Sequence, residues 1–173
     1  MGMDNAGKST IVKLLAKENS SITKLPEMTP TQGIKKKIFK LHGQNAIIWD
    51  FGGQEIYRNK YLQDPKMYFH SIAYFFYVVD VQDFVKMFSS AMYFKGVFQL
   101  IRKHSPEAEL IFLFHKTDPE FVPNQQKDVK KKFMDDIGPF LKPSGIKYKT
   151  YETTIYSIES IKTAFKDQLS TNN

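Results

Sequence analysis

The chain has 173 residues, a length that suits a single domain with a sizeable core. Its net charge is +7, with lysines clustered at 35–37 and 130–132, and it contains no cysteine. The lack of cysteine excludes disulfides and thiolate metal sites. The sequence has no apolar run long enough for a transmembrane helix, and no nucleic-acid motif accompanies the lysines, so we interpret them as a solvated face rather than a nucleic-acid or membrane surface.

The chain begins with a glycine-framed segment at residues 2–10, Gly-Met-Asp-Asn-Ala-Gly-Lys-Ser-Thr, which satisfies the pattern G-x-x-x-x-G-K-[ST]. In this pattern backbone N–H groups converge on phosphate oxygens, and the following helix N-terminus adds partial positive charge. Lys8 can reach the outer phosphates, and Ser9 can offer its hydroxyl to Mg²⁺. The alternative, an ordinary turn before a helix, is disfavoured by motifs downstream. The expected phosphate-binding residues are Asp4, Asn5, Ala6, Gly7, Lys8, Ser9 and Thr10.

Apolar spacing predicts a helix from residue 8 to about residue 16, followed by a polar loop over 19–32. A hairpin comes next: one strand over 33–41, a turn over 42–45 and a returning strand from 46 that ends at Asp50. Residues 57–70 carry no clear periodicity and are expected to be irregular. The remaining pattern predicts strands over 71–81, 110–114 and 146–151, and helices over 83–104, 124–141 and from an N-cap at Ser157.

Strands that alternate with helices predict an α/β fold, a mostly parallel sheet with helices on both faces. Ligands of such folds bind beyond the carboxyl ends of the strands. A phosphate loop normally follows a buried strand, whereas here only Met1 precedes Gly2. We expect that first strand to come from residues outside this numbering, because an empty place would leave backbone hydrogen bonds unmade on both neighbouring strands. The alternative is that another strand occupies the central place.

Candidate magnesium ligands follow or precede the hairpin strands. Thr31 lies just before the first hairpin strand, where its hydroxyl can coordinate Mg²⁺ together with a γ-phosphate. Asp50 ends the second strand, and a carboxylate there can hold Mg²⁺ through water. With Ser9, these residues form the predicted metal set. Close after them, Gly53 can donate its backbone N–H to the γ-phosphate, and Gln54 can orient an attacking water as the catalytic residue.

A second group of polar residues follows the later strands. In His115-Lys116-Thr117-Asp118, the aspartate can accept two hydrogen bonds from the edge of guanine, while the lysine stem packs across the base. Thr154 and Ile155 follow the last strand and can present backbone N–H groups to the guanine oxygen. Each segment alone could be an ordinary turn, but their common order and placement after strands favour a nucleotide site.

These motifs together resemble those of small GTPases of the Ras superfamily, on the Arf and Rag branches. The phosphate loop, Pro30-Thr31-Gln32-Gly33 and Trp49-Asp50-Phe51-Gly52-Gly53-Gln54 are similar to Arf-like sequences. The second half is more similar to Rag proteins: Ser105-Pro106-Glu107-Ala108, His115 where the asparagine of N-K-x-D is usual, and Thr153-Thr154-Ile155. The resemblance covers about residues 2–169 and implies a single P-loop G domain over residues 1–173 with a six-stranded sheet, one edge strand of which is antiparallel.

The resemblance implies a GTP-binding molecular switch that uses Mg²⁺ and hydrolyses GTP slowly, with switch segments near residues 20–33 and 51–66. It also implies effectors, an exchange factor and an activating protein. Of the two arginines, Arg58 and Arg102, neither is in the phosphate loop or beside Thr31, so we expect a partner to supply any catalytic arginine. The pairing domain of Rag proteins and the N-terminal amphipathic helix of Arf proteins are not recognised in this sequence. We expect a cytoplasmic protein and leave peripheral membrane contact open.

Two other functions are compatible with the phosphate loop. One is a scaffold that binds nucleotide constitutively without turnover. The other is a P-loop ATPase or kinase, which the His-Lys-x-Asp segment and the lack of an arginine-rich lid disfavour.

Overall fold

The computed structural model describes residues 1–16, 29–41, 44–122 and 127–169. Its strands are β1 (Ile34–Leu41), β2 (Gln44–Phe51), β3 (Tyr74–Asp80), β4 (Glu109–His115) and β5 (Tyr148–Thr153). Its helices are α1 (Lys8–Leu15), α2 (Glu55–Gln63), α3 (Pro65–Tyr68), α4 (Met87–His104), α5 (Val129–Leu141) and α6 (Ile158–Leu169). No helix among the described residues is both long enough and apolar enough to cross a membrane.

Three strands form a parallel sheet in the order β3-β4-β5. The central strand β4 is almost wholly buried, which accounts for its continuous apolar sequence Leu-Ile-Phe-Leu-Phe over residues 110–114. The register pairs Asp80 with His115 and His115 with Thr153. The carboxyl ends of all three strands therefore lie at one edge of the sheet, where the fold class places ligands.

The antiparallel hairpin of β1 and β2 forms a separate two-stranded sheet. Its strands are longer than the sequence predicts: Leu41 pairs with Gln44, so Gln44 and Asn45 belong to β2 rather than to a turn. The second strand also continues one residue past Asp50, to Phe51. Backbone pairing along the ladder, rather than the polarity of Gln44 and Asn45, sets where the strands end.

No described strand lies between β2 and β3, so the described residues form five strands in two sheets rather than one six-stranded sheet. The backbone of Met1 occupies the flank of β3: its amino group donates to Phe76 O at 2.6 Å, and its carbonyl accepts from Val78 N at 2.9 Å. This pairing places Gly2 and the phosphate loop beside the carboxyl-end half of β3.

Helices cover both faces of the parallel sheet, as predicted. On one face α4 and α5 pack aromatic side chains against β3 and β4, with Phe94 and Phe133 among the fully buried members. On the other face α1 and α6 bury Ile11, Leu14 and Ile161. The fold is an α/β P-loop arrangement in which the phosphate loop, β2 and the ends of β3–β5 converge.

Residues 57–70 are not irregular, and this expectation is wrong. They form most of α2 and all of α3. The helix α2 buries only Tyr61, so it lacks the apolar periodicity that identifies a helix in sequence. The shorter α3 begins with a proline and is capped by Asp64, which accepts from Met67 N at 3.4 Å.

The other predicted elements are present with shifted boundaries. Helix α4 begins at Met87, four residues later than predicted, because residues 84–86 form a turn before it. Asp128 caps α5 by accepting from Lys131 N at 2.9 Å, and Ser157 Oγ accepts from Ser160 N at 3.3 Å at the start of α6, as predicted. The predicted loop over 19–28, the hairpin tip at 42–43 and the start of the predicted helix at 124–126 lie outside the described residues.

Candidate functional site

The phosphate loop wraps the N-terminus of α1 in a conformation that needs its glycines. Gly2 has φ +139° and presses against the backbone of Val78, so that a Cβ there would lie 2.3 Å from the Val78 oxygen. Gly7 has φ +87° and serves as the N-cap of α1 without a side-chain cap. Asn5 is also left-handed, with φ 59°. Because no side chain caps α1, the N–H groups of its first turn remain available to an anion.

Lys8 is the charged group inside this loop. Its Nζ donates to the Met3 carbonyl at 2.5 Å. Burial lowers the pKa of Lys8 to about 8, and the carboxylates of Asp50 and Asp4 oppose that effect. The lysine therefore sits in an enclosed place where a phosphate would restore its full charge.

The three predicted metal residues meet at one point. Ser9 Oγ donates to Asp50 Oδ2 at 2.5 Å and lies 2.7 Å from Thr31 Oγ1, which in turn donates to the same Asp50 oxygen at 3.3 Å. Thr31 and Asp50 are buried. Among the described residues, the second oxygen of Asp50, Oδ1, is buried without a hydrogen-bond partner. A buried, unpaired carboxylate oxygen beside two hydroxyls is a hard oxygen donor set of the kind that Mg²⁺ prefers.

Two adjacent glycines bring the segment after β2 against the phosphate loop. Gly52 N donates to Gly33 O at 2.8 Å. At Gly53 a Cβ would lie 2.4 Å from Asp4 N and 2.5 Å from Lys8 Nζ, so only glycine permits this approach. Gln54 follows as the N-cap of α2 with an exposed side chain, and its carbonyl accepts from Tyr57 N and Arg58 N.

At the opposite end of the site, Asp118 lies at the carboxyl ends of β4 and β5. Its Oδ1 accepts from Thr154 Oγ1 at 2.6 Å, and its Oδ2 accepts from Gln82 Nε2 at 3.0 Å. The backbone N–H of Thr154 donates to Ser160 Oγ at 3.2 Å. The structure thus brings Asp118 and Thr154 together, with Ile155 next in the chain.

His115 connects the two ends. Its Nδ1 lies 2.9 Å from Thr153 Oγ1, and a Cβ at Gly7 would lie 2.4 Å from its Cδ2 and 2.7 Å from its Nε2. The imidazole therefore packs between the last strand and the phosphate loop. Burial lowers the pKa of His115 to about 4, and the charge of Lys116 acts in the same direction, so the ring is neutral at pH 7.

Lys116 adopts a left-handed backbone conformation with φ 68°, and its Nζ forms an ion pair with Asp80 Oδ2 at 2.5 Å. The ion pair holds the lysine side chain over the end of β3. A non-glycine residue in this conformation is uncommon and is found where the surroundings impose it.

Sequence reasoning missed four residues of this site. Asp80 pairs with Lys116, Gln82 binds Asp118 and the Lys116 carbonyl, and Lys86 Nζ pairs with Asp4 Oδ2 at 3.0 Å. Asp80 and Gln82 could have been found, because they stand at the carboxyl end of the buried run over 74–79. The fourth is Arg58, whose Nη1 lies 3.0 Å from Met3 Sδ. Arg58 lies outside the phosphate loop in sequence, but the fold brings its side chain to Met3 of that loop; that a partner supplies the catalytic arginine stays a prediction.

Comparison with known proteins places these motifs in a family. Residues 1–169 match the family described as the Gtr1/RagA G protein conserved region. The chain is similar to the ADP-ribosylation factor-like protein alp41 of Schizosaccharomyces pombe, with 37% identity over 87 residues, which cover 50% of this chain and 42% of that protein. It is also similar to the GTP-binding protein GTR1 of Saccharomyces cerevisiae, with 27% identity over 120 residues, or 68% of this chain and 38% of GTR1.

The matched segments thus span less than half the length of either relative. Among solved structures, the chain is similar to the Arl6 BBS3 small GTPase of Trypanosoma brucei with bound nucleotide analogue GppNp. The TM-score is 0.72 at 18% identity, covering 98% of this chain and 92% of that one. At that identity the likeness shows the fold.

Proposed function

This chain belongs to the Gtr1/RagA family of G proteins, and from that premise we propose that it is a GTP-binding molecular switch that hydrolyses GTP slowly. The family is one of small GTPases of the Arf and Rag type, which bind guanine nucleotide and typically use Mg²⁺. The slow turnover, the roles of individual residues, the switch segments and the extent of a single G domain over residues 1–173 are our proposals.

The observation that carries the proposal is that Ser9, Thr31 and Asp50 meet beside the partly buried Lys8. These residues come from three separate segments of the chain, and their side-chain oxygens lie within 3.3 Å of one another along the cluster. Mutual hydrogen bonding alone would explain Asp50 Oδ2, but it leaves the buried Oδ1 unpaired. A divalent cation supported by a phosphate would account for both oxygens.

In the proposed site the phosphates lie against the loop over residues 4–10. The backbone N–H groups of this loop and the N-terminus of α1 donate to phosphate oxygens, and Lys8 neutralises charge on the outer phosphates. Gly53, which already touches the loop, donates its N–H to the γ-phosphate. Gln54 orients the attacking water, since its side chain is exposed at the start of α2 and is not used as a helix cap.

Ser9, Thr31 and Asp50 would hold Mg²⁺. When bound, this ion would supply positive charge that offsets the negative charge of the phosphates, which is the chief need of phosphoryl transfer. The residues themselves contribute hard oxygen donors, and the carboxylate of Asp50 opposes the lowering of the Lys8 pKa by burial.

The guanine base lies at the carboxyl ends of β4 and β5, at the end of the site opposite the phosphate loop. Asp118 accepts from the ring N–H and the exocyclic amine, and Lys116 covers one face of the base with its stem. His115 acts as a brace behind the base loop, because its ring is packed on Gly7 and bonded to Thr153. Ile155 presents its backbone N–H to the guanine oxygen. The backbone N–H of Thr154 donates to Ser160 Oγ instead, so Thr154 contributes to the pocket through its hydroxyl, which donates to Asp118.

The switch segments in this proposal are residues 20–33 and 51–66. Of the first, only residues 29–33 are described; the second contains Gly53, Gln54 and helix α2. Order in these segments would depend on the γ-phosphate and decide which effectors bind. Exchange and activating proteins would regulate the cycle. We propose a cytoplasmic location, with peripheral membrane contact as an open alternative.

The nucleotide carried by the purified protein provides the direct test. Chromatography after denaturation should show bound GDP or GTP, and single-turnover assays with Mg²⁺ should show slow phosphate release from GTP. GTP bound without phosphate release would favour the constitutive scaffold. Equal affinity for ATP and GTP would overturn the guanine-specific switch in favour of an ATPase or kinase.

A further inference from the structure

We propose that Arg58 is the positioning residue that holds Gln54 in register with the phosphate loop. This inference rests on the proposed function, because it assigns a role to Gln54 in GTP hydrolysis. Arg58 is the last residue of the first turn of α2, and its N–H donates to Gln54 O at 3.0 Å. Gln54 and Arg58 thus belong to one hydrogen-bonded turn.

Contacts to the same loop residue, Met3, lie on both sides of Gln54. Before it, Gly53 is so close that a Cβ would stand 2.5 Å from the Met3 carbonyl carbon. After it, Arg58 Nη1 reaches Met3 Sδ at 3.0 Å. The start of α2 is therefore fixed to the phosphate loop at two points, and Gln54 is held between them.

Helix α4 also contacts Arg58, through the aromatic ring of Tyr93. The guanidinium carbon of Arg58 lies 5.2 Å from the ring centroid of Tyr93, which is a buried residue. This is a cation–π distance, and the contact holds the guanidinium against α4. Arg58 therefore links three elements: α2, α4 and the phosphate loop. Its charge also reaches the loop, because Arg58 contributes to lowering the pKa of Lys8, after burial as the main cause.

The contacts of Arg58 are not those of an arginine in an ordinary surface ion pair. Thioether sulfur is a weak acceptor, and Arg58 Nε is buried without a hydrogen-bond partner among the described residues. No salt bridge to Arg58 is found among the described residues. Because its hydrogen bonding is incomplete, we infer that Arg58 is needed to position the start of α2 rather than to stabilise the fold.

The test compares single-turnover GTP hydrolysis in Arg58→Met with the unmodified chain. Methionine keeps an unbranched apolar stem against Tyr93 but cannot donate to Met3. We expect hydrolysis to slow on the order of tenfold to a hundredfold, the usual effect of a small misplacement of a catalytic group. Affinities for GTP and GDP should stay within about threefold. Arg58→Lys, which retains the cation over Tyr93, should recover part of the rate. Arg102→Met, the same change on the exposed end of α4, is the matched control.

A double variant with Gln54→Leu separates positioning from direct contact with phosphate. If Arg58 acts through Gln54, Arg58→Met should slow hydrolysis no further once Gln54 is gone. Multiplying effects would overturn the proposal and indicate an independent action on the phosphate. An unchanged rate in Arg58→Met, or a large loss of nucleotide affinity, would also overturn it.

Amide hydrogen exchange provides a second readout that does not depend on turnover. Arg58→Met should speed exchange in residues 55–63 of α2 while leaving α6 unchanged, and equal protection of α2 in both proteins would overturn the proposal. If the unmodified chain shows no GTP hydrolysis, the proposed function fails, but the exchange result still decides whether Arg58 fixes α2.

Discussion

The base-facing and phosphate-facing ends of the candidate site differ in how fully their polar atoms are hydrogen-bonded. At the base end both oxygens of Asp118 accept hydrogen bonds, from Thr154 and Gln82. At the phosphate end the buried side-chain atoms Asp50 Oδ1, Arg58 Nε and Tyr93 OH have no partner among the described residues. Each unpaired buried group costs about 1–3 kcal/mol.

The architecture explains this difference. The base end stands on three hydrogen-bonded parallel strands, β3, β4 and β5, whose ends align in register. The phosphate end is assembled from Met3, β2 and α2, which come from separate segments, and β2 belongs to a different sheet from β3, β4 and β5. We infer that the base end is preformed, whereas the phosphate end gains most from bound charge. The following predictions test this contrast.

Lys8→Ala should have the largest effect, because it removes the partly buried cation from the phosphate end. We expect GTP affinity to fall about a thousandfold, or ~4 kcal/mol. Equilibrium titration with a fluorescent GTP analogue in Mg²⁺ buffer measures this loss. Lys13→Ala, an exposed lysine of the same helix, is the control. Equal affinities for both variants would contradict the assignment of the phosphate end.

The next prediction concerns how the free energy of unfolding depends on pH through His115, the residue that connects the two ends of the site. The pKa of His115 is lowered from 6.5 to about 4 in the folded protein by burial, so between these values the unfolded chain binds the extra proton. Stability is therefore fully present above pH 6.5 and decreases as pH falls toward 4, by a total of about 3 kcal/mol. Denaturant unfolding at several pH values tests this.

His115→Asn is the matched variant, since asparagine keeps a hydrogen-bonding side chain but does not titrate. The difference in unfolding free energy between the two proteins should change across this pH range in favour of the variant at low pH. Parallel curves would show that His115 is not the buried neutral group that the structure indicates.

Asp118→Asn, at the base end, should lower the affinity for GTP by less than Lys8→Ala does. An amide oxygen can replace only one of the two carboxylate acceptors, so one of the two guanine donors would face the amide N–H instead of an acceptor. GTP affinity should fall roughly tenfold to a hundredfold, from the 1–3 kcal/mol cost of an unpaired group. Xanthosine triphosphate, whose added ring oxygen accepts from the amide, should bind the variant better than GTP does. Competition titration measures both, and unchanged preference for GTP would exclude Asp118 from base recognition.

Much of the site was predictable because it obeys local rules. The phosphate loop is defined by spacing within nine residues, and Asp50, His115 and Asp118 stand at or just past strand ends, where ligands of this fold class bind. The structure brings Ser9, Thr31 and Asp50 within hydrogen-bonding distance of one another, and their role as metal ligands stays a prediction.

The parts that sequence reasoning missed depend on long-range packing. Helix α2 buries only Tyr61, so its polar sequence carries no periodic signal. Arg58 reaches Met3 across 55 residues of chain, and Gln82 reaches Asp118 across 36. No local pattern encodes such contacts, because the intervening strands and helices set them.

The smallest expected effect on binding and stability comes from Gln54→Leu. The side chain of Gln54 is exposed and makes no capping hydrogen bond to α2, while its carbonyl, which leucine retains, accepts from Tyr57 N and Arg58 N. The variant should therefore keep its unfolding free energy within about 0.5 kcal/mol and its GTP affinity within about threefold. Hydrolysis should nevertheless slow by at least about tenfold, because leucine fills the space but cannot orient water. Single-turnover phosphate release, with and without a candidate activating protein, measures the rate. A rate equal to that of the unmodified chain in both conditions would mean that the water at the phosphate end is oriented by another group.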